Sequence, residues 1–116
     1  MYKTRGRHII ADFFGCKSED LDDERKLIRI LRSAAKKANS TILLHSSYKF
    51  TPQGVTAVVL LQESHISCHT YPEFGFMAVD IYTCGKQTKP SEGLKFLRTA
   101  LKPKKVQRWF IKRGDR

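Results

Sequence analysis

Apolar and polar positions along the chain fall into short runs cut by turn residues. His8 to Phe14 (His-Ile-Ile-Ala-Asp-Phe-Phe) is apolar, stops at Gly15, and reads as a first strand. From Leu21 to Ala38 the period changes: Leu27, Leu31, Ala34, Ala35 and Ala38 recur three and four apart, which predicts a helix with one apolar stripe. Asp22, Asp23 and Glu24 open that segment and Lys36 and Lys37 close it, as the helix dipole favours, with Asn39 as the stop. Thr41 to Phe50 reads as a second strand and Thr51-Pro52-Gln53-Gly54 as a turn. Val55 to Leu61 (Val-Thr-Ala-Val-Val-Leu-Leu) is the most strand-like run and is expected to be buried on both faces.

Ile66 to Tyr71 and Phe76 to Tyr82 follow as strands, parted by Pro72-Glu73-Phe74-Gly75. Pro90 starts a second helix that carries Leu94, Leu97 and Leu101 on one side and stops before Pro103. Lys105 to Lys112 reads as a last strand, and Gly114 to Arg116 as a frayed tail. Strands outnumber helices, and two amphipathic helices can cover only one face of the sheet. The expected fold is therefore α/β of the α+β kind, a two-layer sandwich with a mainly antiparallel sheet and both helices on one face. The other face must meet solvent or a second copy of the chain.

The 116 residues suffice for one domain, spanning 1–116, with a single core. Hydrophobic residues make up 41% and charged residues 28%, ordinary for a globular protein, and no apolar run is long enough to span a bilayer. Met1 to Ile10 holds charges but no continuous apolar segment, which argues against secretion. Three cysteines, Cys16, Cys68 and Cys84, make no disulfide framework and suit a reducing, cytoplasmic setting. The net charge of +11 gathers towards both ends, at Lys3, Arg5 and Arg7 and again from Lys102 to Arg116. No nucleic-acid recognition motif accompanies it, so the charge reads as a solvated surface and not as a dedicated nucleic-acid site.

Chemistry concentrates between Leu61 and Gly85, which hold Glu63, Ser64, His65, Ser67, Cys68, His69, Glu73, Asp80 and Cys84. Three readings present themselves. His65, His69, Cys68 and Cys84 are possible zinc ligands, but strand alternation sends Cys68 to the face opposite the histidines and the spacing matches no common zinc pattern, so no metal is expected. A cysteine nucleophile served by a histidine lacks any sign of an oxyanion hole. The third reading turns on Glu63-Ser64, which lies where one strand ends and the next begins. A serine hydroxyl held against the preceding carbonyl can convert the amide to an ester. Elimination then splits the chain, and hydrolysis leaves a pyruvoyl group. That chemistry needs a serine, a base and a donor for the developing oxyanion, roles that Ser64, His69 and the Thr56 hydroxyl fit.

The run Glu-Ser-His-Ile-Ser-Cys-His-Thr-Tyr-Pro-Glu, followed by Ala-Val-Asp-Ile-Tyr-Thr-Cys-Gly, closely resembles the small prokaryotic S-adenosylmethionine decarboxylase proenzymes. The resemblance extends to Gly6-Arg7-His8, Tyr48-Lys49-Phe50, Pro52-Gln53-Gly54-Val55 and Arg113-Gly114. It implies cleavage between Glu63 and Ser64 into a β chain, 1–63, and an α chain, 64–116, headed by a pyruvoyl that forms a Schiff base with the substrate amine. It further implies that Cys84 is the proton donor, that His69 assists processing, and that Phe50 and Glu73 bind substrate. The family enzymes are dimers of processed αβ units, and their product is an aminopropyl donor for spermidine and polyamine synthesis.

The chain departs from the family pattern at several places. Thr56 stands where serine is usual, Ala57 for glycine, Cys68 for an aliphatic residue, Tyr71 for tryptophan and Met77 for a small residue. Met77 and Ala57 add bulk, and some relatives decarboxylate arginine or ornithine with the same self-cleavage machinery. The basic amino acids therefore stay open as alternative substrates, as does a processing-dead binding or regulatory homologue.

Overall fold

A computed structural model describes residues 4–114. Lys3 and Arg116 of the basic ends, with the last two residues of the expected tail, lie outside the described residues. The chain folds as β1 (Gly6–Phe14), α1 (Ser18–Leu21), α2 (Glu24–Lys37), β2 (Ile42–Lys49), β3 (Val55–Leu61), β4 (Ser64–Tyr71), β5 (Phe76–Cys84), α3 (Pro90–Leu101) and β6 (Lys105–Arg113). A 3-10 turn, Pro72–Phe74, joins β4 to β5. One six-stranded sheet has the order β2-β3-β4-β5-β1-β6, with every neighbouring pair antiparallel.

The helix expected over 21–38 is broken. Asp23 has extended dihedrals and its carboxylate accepts from the Lys26 N–H at 3.1 Å, which makes it the N-cap of α2. Leu21 belongs instead to the short α1 and is buried. At the other end Asn39 takes a φ of 55°, the left-handed conformation that stops a helix and that asparagine tolerates.

Both longer helices lie on one face of the sheet, α2 against β2, β3 and β4, and α3 against β1 and β5. They touch each other closely at Gly93, where a Cβ would stand 3.1 Å from the Ala34 carbonyl oxygen and 3.3 Å from Ala38 Cβ. Between the layers sits the core. Phe13, Val55, Val59, Ile66, Met77 and Ile81 from the sheet meet Leu27, Leu31, Leu94, Leu97 and Leu101 from the helices. Burying a side chain of this size contributes about 1.5–3 kcal/mol.

The expectation that Val55–Leu61 is buried on both faces is corrected. Val55, Ala57, Val59 and Leu61 are buried, while Thr56, Val58 and Leu60 are not. The sheet has helices on one side only, so alternate residues of every strand face outward. The strands also run further than their apolar cores suggest. Ser64 pairs with Thr83 and Gly6 with Cys84, so ladder pairing draws these less apolar positions into β4, β1 and β5.

Candidate functional site

Strand register sorts the outward residues into rows across the open face. Across β4, β5, β1 and β6, one row reads His65, Tyr82, His8, Ile111. Beside it, towards the β3–β4 hairpin, lies Cys84, Gly6, Arg113. Two rows in the other direction, across β2, β3, β4, β5 and β1, lies Tyr48, Thr56, His69, Ala78, Asp12. Chemistry-bearing residues thus fall into two clusters at opposite ends of the same face.

The first cluster surrounds the Glu63–Ser64 bond. Leu61 pairs with Ser64, leaving a two-residue loop, Gln62-Glu63, between β3 and β4. The loop is pinned: Gln62 N–H donates to the Thr41 carbonyl at 2.9 Å, and Glu63 Oε1 accepts from the Thr41 N–H at 2.9 Å. The Glu63 carbonyl accepts from the backbone N–H of Cys84, also at 2.9 Å. Ser64 has a φ of 144°, a region populated almost only by glycine. Such a conformation costs on the order of 1–3 kcal/mol. Strain and a polarised carbonyl therefore coincide at one peptide bond.

Around Cys84 lies a polar group that alternation hinted at and only register completes. Asp80, Tyr82 and Cys84 share a face at two-residue spacing. His8 Nε2 meets Asp80 Oδ1 at 2.9 Å, and Arg113 Nη1 donates to His8 Nδ1 at 3.5 Å. Burial holds the His65 imidazole below its usual range, with His8 and Arg113 adding to the effect and Asp80 opposing it. Tyr82, His8 and Arg113 carry no chemistry in a reading of the sequence, because the partners sit far apart along the chain. The same register puts Cys68 on the covered face, where burial pushes its thiol up to about 12. It cannot join His65 and His69 in a ligand set. Among the described residues no group of three or more His, Cys, Asp or Glu side chains could hold a metal ion.

The second cluster lies at the far end. Thr56 Oγ1 and His69 Nδ1 share a hydrogen bond of 2.9 Å across the β3–β4 pair. The aromatic rings of Tyr48 and Phe50 are 4.8 Å apart, and Phe50 is 44% exposed. Glu73 lies, exposed, in the turn after β4. Sequence reasoning placed Thr56 and His69 beside Ser64 as its helpers. Within one chain they are not: His69 is five residues along β4 from Ser64, about 17 Å at ~3.4 Å per residue. The structure brings the Cys84 backbone to the Glu63 carbonyl and His69 to Thr56, and keeps the two pairs apart.

The site therefore lies on the open face of a two-layer α+β fold, with a strained Glu63–Ser64 bond at the end where Cys84 stands. The family model for S-adenosylmethionine decarboxylase matches residues 7–114, and the chain belongs to that family. It is 44% identical over 112 residues to the S-adenosylmethionine decarboxylase proenzyme of Methanococcus maripaludis, covering 97% of this chain and 92% of the relative. It is 46% identical over 112 residues to that of Pyrobaculum neutrophilum, covering 96% and 88%. The crystal structure of the adenosylmethionine decarboxylase from Aquifex aeolicus superposes with a TM-score of 0.91 at 41% identity, over 97% of this chain and 93% of that one.

Proposed function

We propose that the chain is a self-cleaving, pyruvoyl-dependent decarboxylase that converts S-adenosylmethionine to its decarboxylated aminopropyl donor for polyamine synthesis. The observation that carries the reading is the Glu63–Ser64 bond, with a φ of 144° on one side and the Cys84 N–H on the carbonyl at the other. In the cleavage, Ser64 Oγ attacks the Glu63 carbonyl carbon, its proton passes to the departing Ser64 nitrogen, and an ester replaces the amide. The Cys84 N–H is aimed at the oxygen that gains charge, an arrangement that preorganised donors exploit. A base then takes the Ser64 Cα proton, the Cβ–O bond breaks, and Glu63 leaves as a carboxylate. Water replaces the nitrogen as ammonia, and a pyruvoyl remains on the chain 64–116, with 1–63 as its companion.

The residues present fit that group. Ser64 is at a tight hairpin, and Cys84 stands beside it on the neighbouring strand with a free thiol only partly buried. Bound in place, the pyruvoyl supplies an electron sink for an amine substrate. Cys84 Sγ holds the proton that returns to carbon. Phe50 offers a flat platform to an adenine ring, and Glu73 an anion to a cationic sulfonium.

His69 and Thr56 serve Ser64 in trans. The open face carries Leu44, Leu60, Trp109 and Ile111, all 39–51% exposed, an apolar area suited to a second copy. A twofold axis through the middle of that face would set the Ser64–Cys84 end of one chain over the Thr56–His69 end of the other, together with its Phe50 and Glu73. A homodimer of αβ units is the assembly this predicts, and a cytoplasmic setting suits the three free cysteines. Denaturing mass spectrometry tests the cleavage: fragments dividing at position 64, absent in Ser64→Ala, support it, and a chain that stays whole on prolonged incubation overturns it. Carbon dioxide release from labelled S-adenosylmethionine, with arginine and ornithine in parallel, tests the substrate.

A further inference from the structure

We infer that Tyr82 is a positioning residue for the Cys84 thiol, its hydroxyl donating a hydrogen bond to Sγ and its ring held over Gly6 by the Arg113 guanidinium. The inference deepens the reading of Cys84 as proton donor and rests on it. Tyr82 and Cys84 project from the same face of β5 two residues apart, so a tyrosine lying along the strand reaches the next side chain on its own side. Its hydroxyl lies over Gly6, the residue that pairs with Cys84 across the β1–β5 ladder. The ring is fixed from several sides. His8 on β1 packs at 5.3 Å and His65 on β4 at 6.0 Å between ring centroids, and the Arg113 guanidinium on β6 sits 4.6 Å from the ring centre.

Gly6, which pairs with Cys84, makes this possible. A Cβ there would stand 2.5 Å from Tyr82 Cε1 and 2.7 Å from the hydroxyl oxygen, closer than atoms can approach. Any side chain at position 6 would push the ring off the thiol. Burial first, and then the bond to Cys84, raise the Tyr82 hydroxyl above its usual value, so it stays protonated and able to donate at neutral pH. With the ring fixed in this way, the hydroxyl is aimed along the strand at the Cys84 side chain and holds the thiol in one orientation. The charged and titratable groups facing the pair are His8 with Asp80, His65, and Arg113.

The test is the rate of iodoacetamide alkylation of Cys84 in the full protein at one fixed, near-neutral pH, followed peptide by peptide in the mass spectrometer. Cys16 and Cys68 are buried, with thiols pushed up to about 11 and about 12, so they stay silent where Cys84 reacts. In Tyr82→Phe the Cys84 alkylation rate is expected to change by about threefold or more, the scale of one hydrogen bond that fixes a side chain. Gly6→Ala, which keeps the hydroxyl but displaces the ring, should change it the same way. In the processed enzyme Tyr82→Phe should lower kcat with KM unchanged. An unchanged rate in a folded Tyr82→Phe protein overturns the inference. A changed rate in a protein that releases no carbon dioxide would uphold the Tyr82–Cys84 contact and reject the decarboxylase reading instead, which keeps the two failures distinct.

Discussion

The backbone N–H of Cys84 meets the carbonyl of Glu63 at 2.9 Å, fastening the end of β5 to the loop that precedes Ser64. One contact thus ties the residue read as proton donor to the bond read as the cleavage point. Because the donor is a main-chain group, only proline among the substitutions at position 84 removes it. Cys84→Ala should therefore cleave at the wild-type rate while turnover falls by at least tenfold. Fragment analysis beside a turnover assay reads both, and a chain that no longer cleaves would contradict the assignment of that donor.

The φ of 144° at Ser64 should be measurable as stored strain. Ser64→Gly and Ser64→Ala both lack the nucleophile and both should stay whole. Glycine adopts this conformation freely and alanine does not, so Ser64→Gly should be the more stable of the two by about 1 kcal/mol or more. Urea unfolding of the pair decides it, and equal midpoints would mean that position 64 is relaxed.

A Ser64→Ala chain should rescue cleavage of a His69→Ala chain. A Ser64→Ala chain keeps Thr56 and His69, and a His69→Ala chain keeps Ser64 and Cys84. If the halves of the site meet across a dimer, co-expression should cleave the His69→Ala chain in the mixed species. Mass-tagged chains would show which one is cut. Cleavage no faster than in the His69→Ala protein alone would place processing within a single chain.

Thr70 shows how the site-bearing strand is anchored. Its buried hydroxyl donates to the Leu21 carbonyl at 2.7 Å and accepts from the Val55 N–H at 2.8 Å, linking α1 to β3 and β4. Thr70→Val keeps the shape and leaves both partners unpaired in the interior, which should cost about 1–3 kcal/mol. Chemical denaturation checks it, and a neutral result would show that water reaches these groups.

His65 should make stability depend on pH. Burial chiefly depresses its folded pKa below the ordinary 6.5, so the unfolded chain binds the proton more readily. Its contribution is complete above 6.5 and is lost as pH falls through that value towards the lowered folded one. His65→Gln should flatten this part of the stability curve between about pH 7.5 and 5.5. The difference between variant and parent urea midpoints isolates it from the other histidines, and parallel curves would refute the burial.

Much of this was legible along the chain. The apolar runs Val55–Leu61 and Phe76–Tyr82 and the three-and-four spacing over Pro90–Leu101 mark strand and helix, because run length, residue type and period are local properties. Covalent neighbours are equally local, so Glu63-Ser64 and the motif around it could be read as a self-processing bond. The break at Asp23 was not legible, since two adjacent acids serve equally as a first helical turn or as a cap, and the packing of Leu21 chose between them.

By itself, the order of residues determined most of the strands and the two longer helices, the apolar stripe of each helix, and the two-layer fold class they imply. Only the tertiary structure decided which distant groups meet: Tyr82 with His8 and Arg113, His8 with Asp80, and His69 with Thr56 but not with Ser64. Strand register is the reason. It is set by how six strands bury one common face against two helices, a collective choice that no local stretch of sequence contains.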